Sequence, residues 1–225
     1  MNNIFKIICL ATLSFILASC NGSNNTGCDV SGDGKIVNDN RTIDSISSIY
    51  FTLAGNLHIT QGQLQSLVIT SDDNITPEIS TTVSSNELKI KSAKSLCPTS
   101  LDVNVTMAAI NNITFTGSGS ISSVGNINGA DISVNMSGSG NITFTGKAHS
   151  CYSQLDGTGN ILLDNLETVA STAILNGSGN IKIWVDETLE AVINGSGNIY
   201  YKGNPSPSNI HITINGSGNV IHLPS

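Results

Sequence analysis

The chain has 225 residues, of which 11% are charged and 4% aromatic, and its formal net charge is −7 at pH 7. The chain has nine Lys and Arg residues and sixteen Asp and Glu residues, so it has no excess of positive charge with which to bind phosphate groups. Nucleic acid is therefore not an expected partner. Glycine, serine, asparagine, threonine and isoleucine dominate, a composition typical of a turn-rich β protein rather than of a helical enzyme.

Residues 1–19 have the features of a signal peptide. A positive start at Lys6 precedes an apolar stretch from Ile7 to Leu17, which is about ten residues long, whereas a membrane-spanning helix needs about 20. The sequence Leu17-Ala18-Ser19-Cys20 resembles the cleavage box of bacterial lipoprotein precursors. The resemblance implies that Cys20 becomes the first mature residue and anchors the exported chain to a lipid bilayer through its acylated N-terminus. The alternative is an ordinary secretory signal that happens to contain a cysteine.

The segment after Cys20 predicts a tether. Residues Asn21 to Gly27 are polar and glycine-rich, so we expect 20–43 to be a flexible tether that leads to a domain over 44–225. Asn21 stands where many Gram-negative lipoproteins carry the Asp that retains them at the inner membrane. This favours the outer membrane, with the domain on either its periplasmic or its surface face.

Three cysteines remain once Cys9 leaves with the signal peptide and Cys20 carries lipid. An odd number cannot all pair within one chain. Cys151 falls on the inward phase of its strand and is predicted to be a small core residue. Cys28 and Cys97 lie in irregular stretches, and they are the candidates for a disulfide in an oxidising compartment.

A five-residue segment of the type Gly-Ser-Gly-Asn-Ile occurs six times between Gly117 and Val220. Successive copies start 18 to 21 residues apart, so the repeat period is about 20. Two glycines and an asparagine permit backbone angles with φ > 0, which predicts a structural corner in each copy. The corner residues are Gly117, Gly119, Gly138, Gly140, Asn141, Gly157, Gly159, Asn160, Gly177, Gly179, Asn180, Gly195, Gly197, Asn198, Gly216, Gly218 and Asn219.

Apolar residues alternate with polar ones on both sides of each corner, as half-buried strands require. One unit is therefore a strand, a corner and another strand, and neighbouring units must stack to bury the apolar row. The asparagines can form a ladder of side-chain amides between successive units. The row before the corners consists of Phe115, Met136, Leu155, Leu175, Ile193 and Ile214.

Two architectures satisfy this pattern. In a parallel β-solenoid each unit is one coil of about 20 residues, stacked about 4.8 Å from the next. In an up-and-down sheet each unit is instead one hairpin, for which Asn-Gly between alternating apolar residues is a strong signal. The near-constant corner, with almost no charge near it, favours the solenoid.

Four ordered segments carry a family resemblance. Ile49 to Gln61, Ser71 to Ile75, Asn86 to Ile90 and Ile110 to Gly119 together resemble the GIN domain, described as a putative auto-transporter adhesin head. The resemblance covers roughly residues 44–223. It implies a right-handed parallel β-helix in an exported bacterial protein, often a lipoprotein, for which adhesion is an inferred role.

A catalytic β-helix would need two acids, or an acid and a base, on one face within about 10 Å. Asp186, Glu187 and Glu190 are the cluster that could serve, although a solvated turn also accounts for them. The histidines are dispersed, and only His211 and His222, on adjacent final coils, could meet. No metal site or other cofactor is therefore predicted.

Trp184 and Tyr200, together with the three acids, form the candidate ligand face. Trp184 is one residue out of phase with the inward Ile181 and Ile183, so an outward ring could contact a glycan or protein ligand, although packing under a loop is the more common role of such a ring. The sequence thus predicts a non-catalytic, envelope-anchored β-solenoid that binds or adheres. The alternatives are a polysaccharide-acting enzyme on the same scaffold and a structural envelope protein that self-associates through its end coils.

Overall fold

The computed structural model describes residues 27–224, so the signal sequence and Cys20 lie outside the described residues. Within these residues the structure is all-β apart from two short 3-10 helices, Thr76–Glu78 and Pro207–Asn209. The strands are β1 (Val30–Ser31), β2 (Ile36–Arg41), β3 (Ser48–Phe51), β4 (Asn56–Gln61), β5 (Ser66–Asp72), β6 (Ser80–Ser84), β7 (Glu87–Lys91), β8 (Leu96–Cys97), β9 (Leu101–Met107), β10 (Asn112–Phe115), β11 (Ser120–Ser123), β12 (Ile127–Met136), β13 (Asn141–Leu155), β14 (Asn160–Leu175), β15 (Asn180–Trp184), β16 (Thr188–Ile193), β17 (Ile199–Lys202), β18 (Ile210–Ile214) and β19 (Val220–His222).

The strands stack into two walls that meet at the glycine corners. The pre-corner wall has the order β7, β3, β10, β12, β13, β14, β16, β18, and each neighbouring pair is parallel. The post-corner wall has the order β9, β4, β11, β13, β14, β15, β17, β19, again with parallel neighbours. β13 and β14 are long enough to contribute to both walls. The predicted β-solenoid is thus confirmed and the hairpin alternative is wrong, because every corner repeat pairs in parallel with the next.

The stacking order departs from the chain order at one point. The coil formed by β3 and β4 lies between the coil of β7 and β9 and the coil of β10 and β11. After β4 the chain leaves the stack, returns on one side of this coil as β7 and β9, and then crosses to its other side as β10. The first half of the domain therefore has the same alternation of apolar and polar residues as the repeats, but its coils do not stack in the order in which they occur in the chain.

Antiparallel strands cover the first coil. β5 pairs with the free edge of β9, β2 pairs with β5, and β6 pairs with the free edge of β7. Open strand edges attract other chains, and these three strands cover those of the first coil, which leaves β2 and β6 as the outermost strands at this end of the solenoid. We call them the N-terminal cap.

The predicted tether over 20–43 is wrong from residue 27 onward. β2 is a strand of the cap, and the Arg41 guanidinium donates to the carbonyl oxygens of Ile79 at 2.6 Å and Thr76 at 2.8 Å. Cys28 and Cys97 form a disulfide that spans 69 residues, with their Cα atoms 5.8 Å apart. The segment looks like a tether because β2 alternates between exposed and half-buried positions and carries mostly polar residues.

Asp72 is fully buried where the chain enters the cap. Its carboxylate accepts the backbone N–H of Gly34 at 2.7 Å and that of Thr99 at 2.8 Å. Burial by itself would raise the pKa of Asp72, but the hydrogen bonds from Thr99 and Gly34 outweigh it and hold the pKa below its ordinary value. The charged carboxylate thereby joins the N-terminal segment to the loop before β9.

The core is one continuous cluster of inward side chains. Phe51 and Phe115 are fully buried and stack with their ring centroids 5.7 Å apart. Cys151 is unpaired among the described cysteines and buried, as its strand phase predicts, and burial raises the pKa of its thiol to about 12. Ile214 is the exception to the predicted row: its side chain is 47% exposed because no described coil follows β18.

Candidate functional site

The corner glycines do not need positive φ angles. The described glycines with φ > 0 lie elsewhere, at Gly27, Gly34, Gly125, Gly146 and Gly203, so that part of the corner prediction is wrong. A Cβ built on Gly138 would instead overlap the carbonyl oxygen of Gly117 in the preceding coil. The same overlap with the preceding coil occurs at Gly117, Gly119, Gly140, Gly157, Gly159, Gly177, Gly179, Gly195, Gly197, Gly216 and Gly218. The corners contain glycine because successive backbones approach too closely for any side chain.

An asparagine ladder runs beside the corners. Asn160 Nδ2 donates to Asn141 Oδ1 at 3.0 Å, and Asn180 Nδ2 donates to Asn160 Oδ1 at 3.2 Å. The backbone N–H of Asn198 then donates to Asn180 Oδ1 at 3.2 Å, and that of Asn219 to Asn198 Oδ1 at 2.9 Å. The repeated asparagines are therefore occupied in holding the stack together.

A second ladder, which the sequence analysis missed, lies just before the first glycine of each corner. Asn176 donates to Asp156 at 2.6 Å, Asn194 to Asn176 at 2.7 Å and Asn215 to Asn194 at 2.8 Å. The signal for it was the asparagine that directly precedes the first glycine in the last three repeats. The asparagine side chains before and after the corner glycines therefore make contacts between coils.

In the irregular coils the ladder position is occupied by Ser120, Asn56 and Asp102, and a second serine and a histidine lie two residues further along the strands. His58 Nδ1 lies 3.0 Å from Ser122 Oγ, and His58 Nε2 lies 3.6 Å from Asp102 Oδ1. In a serine-hydrolase triad the serine is on Nε2 and the aspartate on Nδ1, so the order is reversed here and the aspartate is beyond hydrogen-bond range. Hydrogen bonds from Asn56 and Ser100 hold the pKa of Asp102 below its ordinary value despite its partial burial. This group serves as the charged end of a ladder.

Two lysines and two aromatic residues form a patch on the outer face of the post-corner wall. Lys182 and Trp184 lie on β15, and the facing residues on β17 are Tyr200 and Lys202, so aromatic and cationic side chains alternate in a square. Lys182 Nζ is 5.9 Å from the Tyr200 ring centroid, and Lys202 Nζ is 5.9 Å from that of Trp184. All four side chains are half-buried. We call these four residues the aromatic–lysine patch.

Two carboxylates orient the patch. Trp184 Nε1 donates to Asp186 Oδ1 at 2.8 Å, which fixes the indole ring from the turn after β15. Lys202 Nζ lies 3.1 Å from Asp164 Oδ2 on β14. Both contacts are made at the rim of the patch, and all four side chains keep part of their surface exposed to solvent.

The five residues predicted to share one ligand face do not share it. Trp184 and Tyr200 lie on the post-corner wall, with Asp186 and Glu187 on the exposed turn that follows β15. Glu190 lies on β16 in the pre-corner wall, between Thr172 and His211 of the neighbouring coils. The chain passes from one wall to the other at that turn, so residues close in sequence face different directions. The inclusion of Glu190 was wrong.

A shallow groove runs along the post-corner wall beside the patch. Its volume is about 470 Å³, and it is lined by Asn160, Leu162, Asn180, Lys182, Tyr200 and Leu223. The groove brings Lys182 and Tyr200 of the patch together with the exposed side of the asparagine ladder. The sequence could indicate Tyr200 but not Lys182, because only the register of β15 against β17 places them side by side.

The histidines at the end of the chain do not meet. His211 is on the pre-corner wall next to Glu190, whereas His222 stacks on Tyr201 with ring centroids 4.6 Å apart. Within residues 27–224 no group of three His, Cys, Asp or Glu side chains is placed to hold a metal ion. Over the same residues, the structure contains no helix of the length and apolarity that a membrane span requires.

Comparisons with known proteins agree with this architecture. A family model described as putative auto-transporter adhesin, head GIN domain, matches residues 46–205. No curated protein matches the sequence. Among solved structures, a putative adhesin from Bacteroides fragilis NCTC 9343 is 23% identical, with a TM-score of 0.73 over 86% of this chain and 100% of that one.

Two structures from Parabacteroides distasonis ATCC 8503 are also similar. One, described as a putative lipid binding protein, is 21% identical with a TM-score of 0.52, over 86% of this chain and 99% of that one. The other, described as a putative adhesin, is 18% identical with a TM-score of 0.50 over the same shares. At these identities the likeness concerns the fold.

Proposed function

This chain belongs to the family described as putative auto-transporter adhesin, head GIN domain, and from that premise we propose that it is a non-catalytic binding module of the bacterial envelope. The aromatic–lysine patch is the observation that carries the proposal. Glycine and asparagine of each corner are used in packing, whereas Trp184 and Tyr200 present ring faces that the repeat does not require. Exposed aromatic groups with a polar rim mark sites of contact with ligands.

An acidic polysaccharide is the ligand class that fits this patch. Aromatic rings offer apolar faces on which sugar rings can lie, and Lys182 and Lys202 place ammonium groups within 6 Å of those rings. A uronic acid or sulfated sugar stacked on the Tyr200 ring would bring its negative charge next to Lys182, whereas Lys202 is already paired with Asp164. The groove beside the patch extends this surface along the wall, as an elongated chain requires.

Binding is a better proposal than cleavage because the acids are dispersed. Asp186 holds the Trp184 indole, and Glu190 is on the opposite side of the turn in the other wall. Hydrolysis of a glycosidic bond uses a pair of carboxylates across the scissile bond. The acidic cluster of the sequence does not provide such a pair on the face that carries the aromatic rings.

Replacing Trp184 with alanine should weaken binding to immobilised polygalacturonate at least tenfold, or about 1.4 kcal/mol, without a change in the Tm. The indole supplies ring area to the ligand while its own support comes from the exposed Asp186 side chain. Surface plasmon resonance with the polygalacturonate surface and a neutral dextran surface measures this. Tyr152, an outward aromatic residue on the pre-corner wall, provides the control variant Tyr152→Ala. Equal losses in the two variants, or none in Trp184→Ala, would contradict the proposal.

We further propose that Cys20 is acylated and holds the domain at the outer membrane. Replacing it, as Cys20→Ser, is expected to abolish labelling by radioactive palmitate and to release the protein from the membrane fraction, because no other acylation site is predicted. Cys9→Ser changes a cysteine inside the signal peptide and should leave both the label and the fractionation unchanged. Continued palmitate labelling of Cys20→Ser would disprove the anchor while leaving the binding proposal intact.

A further inference from the structure

The last coil of the solenoid leaves an apolar row uncovered. Ile210, Ile212 and Ile214 of β18 continue the inward row and pair with Leu189, Ala191 and Ile193 of the coil before. Leu189, Ala191 and Ile193 are fully buried, whereas Ile212 is 46% and Ile214 is 47% exposed. No described strand pairs with the outer edge of β18 or of β19. We call this surface the C-terminal end.

The C-terminal end also lacks charge. From Gly203 to Ser225 the sequence contains no Lys, Arg, Asp or Glu. Exposed edge strands of monomeric proteins usually carry charged side chains or prolines that prevent pairing with another chain, and β18 and β19 have neither. The net charge of −7 makes two copies repel each other, but at this end no charged side chain opposes their approach.

The other end of the solenoid presents a different surface. β2, β5 and β6 of the N-terminal cap already occupy the free edges of the first coil. The outermost strands there are β2, which carries Asp39 and Arg41, and β6, so head-to-tail stacking would set an uncharged parallel coil against antiparallel strands, one of them charged. An apolar, uncharged surface is matched better by its own equivalent, and such a two-fold contact closes with two copies.

We propose that the C-terminal end docks on the same end of a second copy of this chain, giving a closed dimer. The two-fold axis reverses the strand direction, so β18 of one copy pairs antiparallel with β18 of the other. The fold accommodates such a junction, since β5 makes an antiparallel pair with β9 at the opposite end. The inward isoleucines of the two copies cover each other, as successive coils do within one chain.

The dimer would place one aromatic–lysine patch on either side of the junction. In each copy β17 is one strand away from the end strand β19, so a sufficiently long polysaccharide chain could contact both patches. This consequence rests on the proposed function, whereas the dimer itself does not.

Sedimentation velocity of the full chain in a density-matched detergent tests the dimer. We expect a dimer for the wild type and a monomer for Ile212→Lys, with the dissociation constant raised at least about a hundredfold because two buried lysines would face each other. Leu64 is 88% exposed on the loop between β4 and β5, and Leu64→Lys should remain dimeric. The same measurement on Ile214→Lys repeats the test if Ile212→Lys loses the circular dichroism spectrum of the wild type.

Three results would overturn the proposal. These are a monomeric wild type at every concentration, an assembly that grows beyond two copies, and a dimer that persists in the folded lysine variants. Binding of monomeric protein to polygalacturonate is measured separately, so a failure of the dimer and a failure of the proposed ligand can be distinguished.

Discussion

Replacing Gly138 with alanine is expected to destabilise the domain by at least about 3 kcal/mol, which corresponds to a fall in the Tm of roughly 10 °C. The added methyl group has no space, because a Cβ at this position meets the carbonyl oxygen of Gly117 and the backbone of Thr116. Backbone atoms cannot turn aside as a side chain can, so the two coils must separate and strain the strands on either side. Thermal unfolding followed by circular dichroism measures the loss.

Two control variants identify the cause. Ser139 lies between the two glycines of the same corner and is exposed, so Ser139→Ala should change the stability by less than about 0.5 kcal/mol. Gly125 has φ +77° and open space around it, so Gly125→Ala should cost about 1 kcal/mol through its backbone angle alone. A Gly138→Ala protein as stable as Ser139→Ala would contradict the close-approach explanation of the corners.

Removing the disulfide with the double variant Cys28→Ser, Cys97→Ser is expected to lower the free energy of unfolding by about 4 kcal/mol. The bond closes a loop with a sequence separation of 69, and a loop of that length restricts the unfolded chain strongly. Its loss should be felt first in β1 and β8, which pair beside it, and then in the N-terminal cap. Chemical denaturation with and without dithiothreitol measures the effect.

The reductant supplies the control for that experiment. Dithiothreitol should destabilise the wild type to the level of the double variant and should leave the double variant unchanged, because Cys151 is buried and its thiol pKa is about 12. An identical transition for the wild type in the presence and absence of dithiothreitol would show that the bond contributes nothing to stability.

The regular part of the solenoid can be predicted from the sequence because its strands and corners are determined by residues that are close together in the chain. A period of about 20 residues, with apolar positions at a spacing of two around each corner, buries its apolar row when neighbouring units stack. The buried residues Met136, Leu155 and Leu175 follow directly from that alternation. Ile214 departs from it because burial depends on a following coil, which no local pattern can supply.

The first half of the domain could not be predicted in the same way. The coil of β3 and β4 lies between two coils that follow it in the chain, an arrangement that depends on contacts distant in sequence. The antiparallel pairing of β2 with β5 is equally non-local, and the strand itself consists mainly of polar residues. These features made residues 27–43 look like an extension of the tether.

The candidate site was predicted in part. Trp184 was recognised as outward from its phase against Ile181 and Ile183, and the structure places it on the outer wall. Lys182 and Lys202 were missed because their proximity to the aromatic rings arises from the register between β15 and β17. Glu190 was misplaced because it is close to Trp184 in sequence, whereas the chain passes from one wall to the other between these two residues.

The central claim is that the repeat builds the scaffold and that the non-repeating aromatic–lysine patch binds the ligand. The most direct test is to measure polygalacturonate binding and thermal unfolding for Trp184→Ala and Gly138→Ala under identical conditions. We expect Trp184→Ala to lose binding at an unchanged Tm, and Gly138→Ala to unfold at a lower temperature while it binds like the wild type below its own transition. Wild-type binding by Trp184→Ala, or loss of binding by folded Gly138→Ala, would contradict this division between scaffold and site.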